Sequence, residues 1–223
     1  MISHHHKTIF IHIPKCGGQS IETAYLNDLG LEWQTRTPLL LRLNGSHLLG
    51  PPRLAHLLAS EYTKFEYVTE KQFKEYYTFS IVRCPFSRVI SLYNFTLKYK
   101  KSLNSFIEEW LRGQFSLSKK YDVENHEYEG RYYFVRPQAD FVFNKSGDLL
   151  VRDIFYLETI DEDFLQIQQK SGLKSCLKHI NAPKKKRATL KDLNPENINT
   201  LTKLYEIDFE RFGYSKNLFI SSL

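Results

Sequence analysis

The sequence predicts a single α/β domain over residues 1–223, with three layers in which helices flank a central, largely parallel sheet. Short runs rich in β-branched and aromatic residues alternate with segments whose apolar residues follow helical spacing. Strands separated by helices pair in parallel, because the chain crosses over the sheet between them. With 223 residues, 42% of them hydrophobic, the chain is long enough for one complete core.

The first predicted elements are a strand, a glycine turn and a helix. Thr8–Ile13 is a short apolar run of the kind that forms a buried strand. Ser20–Leu29 follows as a helix, which Gly30 ends. We expect Trp33–Arg53 to be irregular, because prolines and glycines interrupt it. A short helix is then predicted over Ala55–Tyr62.

The second clear strand is Tyr76–Val82, which is rich in aromatic and β-branched residues. Pro85 suits the first turn of a helix, where a missing N–H costs little, and helical apolar spacing continues over Phe86–Lys100. A hairpin is predicted next, with its arms at Asp140–Asn144 and Leu149–Val151.

The last third of the chain is predicted to hold one more strand and two helices. Asp153–Leu157 has the composition of a strand. Thr159 and the glutamate three positions later form a capping box for a helix. An Asn-Pro pair at Asn194 starts a last helix, which runs through about Phe209. A ligand of this sheet should lie beyond the carboxyl ends of its strands.

Composition indicates the setting of the protein. No apolar run approaches the roughly 20 residues that span a bilayer, and the N-terminal segment lacks the apolar region of a signal peptide. Cys16, Cys84 and Cys176 are widely separated, which fits a reducing compartment, so we expect a cytoplasmic location. The net charge of +6 favours an anionic partner, although a basic solvated surface explains the charge equally well.

The junction between the first strand and its helix has the composition of an anion-binding loop. Its two glycines allow backbone N–H groups to turn toward a ligand, and the helix start adds unpaired donors and a favourable dipole. Its lysine supplies a mobile cation, and its glutamine and serine can donate hydrogen bonds. The candidate residues are Pro14, Lys15, Cys16, Gly17, Gly18, Gln19 and Ser20.

This order of strand, loop and helix is P-loop-like, but the loop is not a Walker A sequence. Lys15 precedes the glycines, and no Gly-Lys-Ser/Thr follows. The departure argues against an ordinary ATPase or GTPase. A purely structural glycine turn uses the same residue types, so the loop alone does not decide the function.

A second anion site is predicted at Arg83, at the carboxyl end of the second strand. Ser91 follows eight positions later, about two helical turns on, and can share the helix face that looks back toward Arg83. A forked guanidinium and a hydroxyl suit a terminal phosphate. Without the first loop, a surface salt bridge of Arg83 would be the simpler interpretation.

Together the two elements resemble the PAPS-dependent sulfotransferases, where PAPS is 3′-phosphoadenosine-5′-phosphosulfate. The likeness is greatest to the carbohydrate branch that includes heparan sulfate 2-O- and chondroitin-type enzymes. In that family a Pro-Lys-Xaa-Gly-Gly-Thr-Ser-like loop holds the 5′-phosphosulfate, and an Arg…Ser pair within Val-Arg-Asn-Pro holds the 3′-phosphate. The resemblance assigns these roles to Pro14–Ser20 and to Arg83 with Ser91.

The resemblance continues downstream through segments 155–164, 179–187 and 205–214. A basic loop closes over the 3′-phosphate in the family, and an exposed basic loop is the alternative interpretation here. Two positions depart from the family pattern: Gln19 replaces a hydroxyl residue, which changes the donors of the first loop, and Cys84 replaces an asparagine. The residues that match the basic loop are Lys185, Lys186 and Arg187.

The resemblance implies in-line transfer of a sulfuryl group from PAPS to a hydroxyl, with a carbohydrate as the expected acceptor and no required metal. Lys15 would stabilise the departing 3′,5′-diphosphate. A histidine suits the role of base. His56 matches the family's His-Xaa-Thr-Ala-Xaa-Glu segment, whose histidine is the proposed base, and His47 is the second candidate.

Three further features received predictions. His4-His5-His6 is expected to be a solvated tail rather than a metal site. The stretches 33–53 and 111–136 are expected to line the acceptor site. The aromatic residues Tyr128 to Phe134 suit an acceptor platform, although packing is their commoner use.

Two other function classes remain as alternatives. A P-loop-like kinase or nucleotide hydrolase is weakened by the missing Gly-Lys-Ser/Thr and by the lack of an Asp-ended strand for Mg²⁺. A basic nucleic-acid-binding module is suggested by the charge and the aromatic content, but we expect no nucleic acid partner. Magnesium dependence identifies the first class, and steep salt dependence without a saturable adenosine site identifies the second.

Overall fold

A computed structural model of the chain describes residues 1–96, 99–117, 131–178, 180 and 188–217. The strands are β1 (Ile2–Ser3), β2 (Thr8–Ile11), β3 (Tyr77–Val82) and β4 (Asp153–Tyr156). They form one sheet in the order β1-β2-β3-β4. β1 pairs antiparallel with β2, whereas β2, β3 and β4 run parallel. The predicted mixed α/β class with a largely parallel sheet is therefore confirmed.

Helices and short helical turns connect the strands and flank the sheet. A π-helical segment, Phe106–Leu111, joins the helices Leu103–Ser105 and Arg112–Leu117. The helices are α1 (Gly18–Asp28), α2 (Glu61–Lys64), α3 (Glu70–Glu75), α4 (Pro85–Phe95), α5 (Leu103–Ser105), α6 (Arg112–Leu117), α7 (Tyr132–Val135), α8 (Ala139–Val142), α9 (Ile160–Ser171), α10 (Pro195–Leu204) and α11 (Glu206–Phe212). The 3₁₀ turns are Trp33–Thr35, Thr37–Leu39, His47–Leu49, Leu54–His56, Leu157–Thr159 and Leu190–Asp192.

The strand register places two loop starts at the same edge of the sheet. Ile11 pairs with Ser80, and the Ser80 hydroxyl donates to the Ile11 carbonyl at 2.8 Å. Val82 in turn pairs with Tyr156 on β4. The segments that leave β2 and β3 therefore start side by side, as parallel strands require.

Buried apolar side chains form two clusters. The larger one covers the sheet, where Phe10 and Phe79 stack with ring centroids 4.9 Å apart. The smaller one joins α4, the π-helical segment, α10 and α11 around Phe86, Phe106 and Phe209. Full burial of one such side chain contributes about 1.5–3 kcal/mol. Within the described part of the chain, none of the helices combines the length and the hydrophobicity of a membrane span.

The predicted helix over Ala55–Tyr62 is wrong in its bounds. The chain makes a 3₁₀ turn at Leu54–His56, becomes extended at Leu57 and enters α2 only at Glu61. Tertiary hydrogen bonds replace helical ones here: Ala59 N–H donates to the Phe141 carbonyl at 2.8 Å, and the Glu61 carboxylate accepts from Leu58 N–H.

The first arm of the predicted hairpin is also wrong, because Ala139–Val142 is the helix α8. Asp208 accepts from the N–H groups of Gln138 and Ala139 at 2.9 Å each, which satisfies donors at the start of this helix. In place of a two-stranded hairpin, the structure has an isolated antiparallel bridge between Phe143 and Leu149.

Three helix ends differ from the prediction. The last helix breaks at Tyr205, which is buried and donates through its hydroxyl to the Val135 carbonyl at 2.8 Å. α4 ends at Phe95 rather than at Lys100. At α9 the Thr159 hydroxyl donates to Asp163, so the expected capping box does not form. The predicted Asn194 cap is confirmed.

His4, His5 and His6 lie in an ordered turn between β1 and β2 rather than in a solvated tail. The imidazole of His4 hydrogen-bonds to the Tyr76 hydroxyl at 2.9 Å. His6 Nε2 lies 2.8 Å from an Asp28 carboxylate oxygen at the end of α1. Both histidines therefore fix this turn against the rest of the fold.

Candidate active site

The loop from Pro14 to Ser20 turns sharply between β2 and α1. Lys15 has φ +69° and Gly17 has φ +77°, so two positions of the loop lie in the left-handed region. Lysine rarely adopts this conformation, and non-glycine residues held there concentrate at functional sites. Alternating backbone conformations also turn successive N–H groups toward one side, which suits an anion.

Neighbouring side chains crowd both glycines of the loop. A Cβ at Gly18 would lie 2.1 Å from Cδ2 of His12, and one at Gly17 would lie 2.6 Å from Cδ1 of Leu157. Such distances are well inside van der Waals contact. The buried His12 ring therefore requires glycine at position 18. At position 17 the end of the Leu157 side chain can shift, and it is the left-handed φ of +77° that favours glycine.

A buried hydrogen bond between His12 and Glu22 supports the loop. His12 Nδ1 lies 2.5 Å from the Glu22 carboxylate on α1, and both side chains are nearly inaccessible to solvent. This contact joins the end of β2 to the first turns of α1 and holds the His12 ring against Gly18.

The ammonium of Lys15 lies 3.8 Å from the centroid of the Phe95 ring at the end of α4. Burial and the nearby Arg83 guanidinium lower the pKa of Lys15 to about 8. Both effects disfavour the charged form. An anion bound at the loop would favour the charged form of Lys15 again. The electrostatics of the site therefore suit a negative ligand.

Arg83 leaves the end of β3 and reaches the loop. Its Nη1 donates to the Lys15 carbonyl oxygen at 3.4 Å. The structure thus brings together the two predicted anion elements. Ser91 lies farther along α4 and is partly exposed. The residues predicted for the basic loop, Lys185, Lys186 and Arg187, lie outside the described residues, as do Tyr128 and His179.

Two loop side chains are used internally. Cys16 is buried and donates to Oε1 of Gln138 at 3.1 Å, and burial raises the pKa of its thiol to about 12. The Ser20 hydroxyl accepts a hydrogen bond from the Ile180 N–H at 3.2 Å. The thiol of Cys16 therefore serves packing rather than the predicted ligand role, and its backbone N–H donates to the Ile13 carbonyl at 3.4 Å.

Arg88 is a site residue that the sequence did not reveal. It is 3% exposed on α4, and its Nε donates to the Pro14 carbonyl at 3.0 Å. Its Nη1 donates to the Arg136 carbonyl at 2.9 Å and its Nη2 to the Phe134 carbonyl at 3.3 Å. One guanidinium thus joins the loop, α4 and the C-terminal end of α7.

Gln138 is the second unforeseen residue, and it contacts both anion elements. Its Oε1 accepts from Arg83 N–H at 2.9 Å, and its Nε2 donates to the Arg83 carbonyl at 2.8 Å. Cys16 of the loop donates to the same Oε1. No sequence motif predicts this role of Gln138, because its contacts join residues that lie far apart in the sequence.

His56, the predicted base, is buried behind the loop. Its Nδ1 donates to the His12 carbonyl at 3.0 Å, which fixes the tautomer and leaves Nε2 as an acceptor in the neutral ring. Burial and the neighbouring His12 hold the pKa of His56 well below 6.5. His56 is therefore neutral at physiological pH, as a proton acceptor must be. The second candidate, His47, lies in the 3₁₀ turn His47–Leu49.

The described residues hold no cluster of three or more His, Cys, Asp or Glu side chains that could bind a metal ion. Comparison with curated proteins found no match, and comparison with solved structures found none either. Residues 1–139, more than half of the 223, match the sequence model described as the sulfotransferase family. The matched segment includes the loop, Arg83, Arg88, His56 and Gln138. On this evidence, the chain belongs to the sulfotransferase family.

Proposed function

We propose that this sulfotransferase moves a sulfuryl group from PAPS to a hydroxyl of a carbohydrate acceptor. Family membership supports sulfuryl transfer in general. The observation that carries the choice of donor is the contact between Arg83 and the Lys15 carbonyl at 3.4 Å. It joins two cationic elements at one edge of the sheet, which suits an adenosine that carries phosphates at both its 5′ and its 3′ position.

The residues present fit this donor. The Pro14–Ser20 loop would hold the 5′-phosphosulfate, since it combines left-handed backbone positions, two adjacent glycines and the Lys15 ammonium. Arg83 with Ser91 would hold the 3′-phosphate through a guanidinium fork and a hydroxyl. The donor supplies a good leaving group, the 3′,5′-diphosphate. Lys15 stabilises the charge that grows on that group during transfer.

His56 is the proposed base. A neutral imidazole with its proton fixed on Nδ1 offers Nε2 to an acceptor hydroxyl. The His12 carbonyl that fixes this proton belongs to the strand end from which the loop departs. One short segment would therefore orient both the base and the donor, which is what an in-line displacement needs.

A carbohydrate acceptor is supported by the likeness of both motifs to the carbohydrate branch. The stretch 33–53, which we propose lines the acceptor site, consists of 3₁₀ turns and irregular backbone. Most of its described residues are at least partly exposed, whereas Leu39 and Leu41 are buried in the core. The parallel order of β2, β3 and β4 supports a P-loop-like, three-layer domain over 1–223. The cytoplasmic location stays a prediction.

Transfer of radiolabelled sulfuryl from PAPS to a panel of glycans, with a chelator present, tests the proposal. We expect label on at least one glycan and no requirement for magnesium. A Lys15→Ala variant serves as the blank for chemistry at the loop. Absence of transfer to any glycan, combined with magnesium-dependent hydrolysis of ATP, would overturn the proposal in favour of a nucleotide hydrolase.

A further inference from the structure

The side-chain amide of Gln138 pairs with the backbone of Arg83 as a neighbouring strand would. Oε1 accepts from Arg83 N–H at 2.9 Å while Nε2 donates to the Arg83 carbonyl at 2.8 Å. Two reciprocal bonds fix both the position and the rotation of this peptide segment. Gln138 is 0% exposed, so water does not compete for these bonds.

The same amide also reaches the loop. Oε1 of Gln138 accepts from the Cys16 thiol at 3.1 Å, so a single oxygen is shared by the loop and by Arg83. A displacement of the loop at Cys16 must therefore move the amide or break one of its bonds. Such a displacement would also shift Arg83, because two hydrogen bonds join its backbone to the same amide.

A buried carboxylate keeps the amide in place. Asp208 on α11 accepts from the backbone N–H of Gln138 at 2.9 Å and from its Nε2 at 3.3 Å. The Asp208 carboxylate accepts from Ala139 N–H as well. With every polar atom of the Gln138 side chain bonded, the amide has a single favourable orientation. The amide thus forms a rigid link between the loop and Arg83.

We infer that Gln138 is a positioning residue that holds the Pro14–Ser20 loop and Arg83 at a fixed separation, so that the two phosphates of one ligand bind cooperatively. The inference rests on the proposed function, because it assumes a ligand phosphorylated at both ends. Gln138 itself touches no ligand in this account. Its effect should therefore be seen in the coupling between the phosphates rather than in the affinity for either one.

The test measures how much the 3′-phosphate adds to affinity, by calorimetry with adenosine 3′,5′-bisphosphate and with adenosine 5′-phosphate. Gln138→Met keeps the length of the side chain and removes its hydrogen bonds. The gain from the 3′-phosphate is the ratio of the affinity for the bisphosphate to the affinity for adenosine 5′-phosphate. We expect this ratio to be about tenfold smaller in the variant than in the wild-type protein, since groups in one network couple by about 0.5–3 kcal/mol. Its affinity for adenosine 5′-phosphate should stay within about threefold of the wild-type value.

Tyr205→Phe is the matched control, because it removes a buried hydrogen bond to Val135 in the same region without touching Arg83 or Cys16. Its gain from the 3′-phosphate should equal that of the wild-type protein. An equal loss in this control, or a parallel loss of affinity for adenosine 5′-phosphate in Gln138→Met, would show a general loosening and overturn the inference. An unchanged gain in Gln138→Met would overturn it too.

A measurement on the wild-type protein needs no variant at all: adenosine 5′-phosphate, which reaches only the loop, should slow hydrogen exchange of the Arg83 amide. Unchanged exchange would contradict the link. If the wild-type protein binds adenosine 5′-phosphate but gains nothing from the 3′-phosphate, the proposed donor fails, which differs from a failure confined to Gln138.

Discussion

Nη1 of Arg83 donates to the carbonyl oxygen of Lys15 across 3.4 Å, which brings two cations together at the edge of the sheet. The guanidinium helps to lower the pKa of the Lys15 ammonium to about 8. Cations held together in this way favour an anion that can satisfy both.

Lys15→Ala should reduce sulfuryl transfer by about 10²–10³ because it removes the charge that stabilises the leaving group. The fold should survive, since the ammonium lies over Phe95 outside the core. Rates with saturating PAPS, together with thermal midpoints, check both parts. Lys64→Ala is the control, because that ammonium also lies over an aromatic ring, Phe65, away from the loop. A similar loss in both variants would contradict a specific role of Lys15.

The ratio kcat/KM for PAPS should fall as the pH rises through about 8. The lowered pKa of Lys15 means that its ammonium loses its proton there in the free protein, and kcat/KM reports groups of the free protein. Lys15→Arg should remove this descending limb, because arginine stays charged. A limb that persists unchanged in Lys15→Arg would assign the titration to another group.

His56→Asn should lower kcat by about 10²–10⁴ while affinity for adenosine 3′,5′-bisphosphate is retained. Asparagine can still donate to the His12 carbonyl, as Nδ1 of His56 does, but it cannot accept a proton from the acceptor. Turnover assays with PAPS measure kcat, and calorimetry measures the affinity for adenosine 3′,5′-bisphosphate. His47→Ala is the comparison. Normal turnover in His56→Asn with loss in His47→Ala would transfer the role to His47.

Gly18→Ala should destabilise the protein by about 1–3 kcal/mol or more, because the new Cβ would overlap the His12 ring. Chemical denaturation measures the change. Gly113→Ala in α6 is the control, since nothing lies within 4 Å of a Cβ there and alanine favours a helix by about 1 kcal/mol. Equal stability of Gly18→Ala and the wild-type protein would show that His12 moves aside at no cost.

The sheet edge and its loop were predictable because their signals are local. The apolar run of β2, the glycines after it and the composition of β3 each lie within a few neighbouring residues. Parallel pairing then places Arg83 beside the loop without further information. Local signals therefore suffice to predict which strand ends and which loop form the candidate site.

The links behind the site were not predictable, because they depend on burial and on long-range contacts. Arg88 reads in the sequence as an ordinary helix cation, and Gln138 as an ordinary polar residue. Their partners Pro14 and Arg83 lie 74 and 55 positions away along the chain. The same cause explains the wrong hairpin, since Asp208 satisfies the first N–H groups of α8 from a distant helix. Local composition does not record such contacts.

Calorimetric titration with adenosine 3′,5′-bisphosphate tests the central claim most directly. Our account predicts saturable binding at one site, which weakens by more than tenfold when either the 3′- or the 5′-phosphate is absent and which ATP does not reproduce. Equal affinity for the bisphosphate and for both monophosphates would contradict it, because Lys15 and Arg83 would then not serve one ligand.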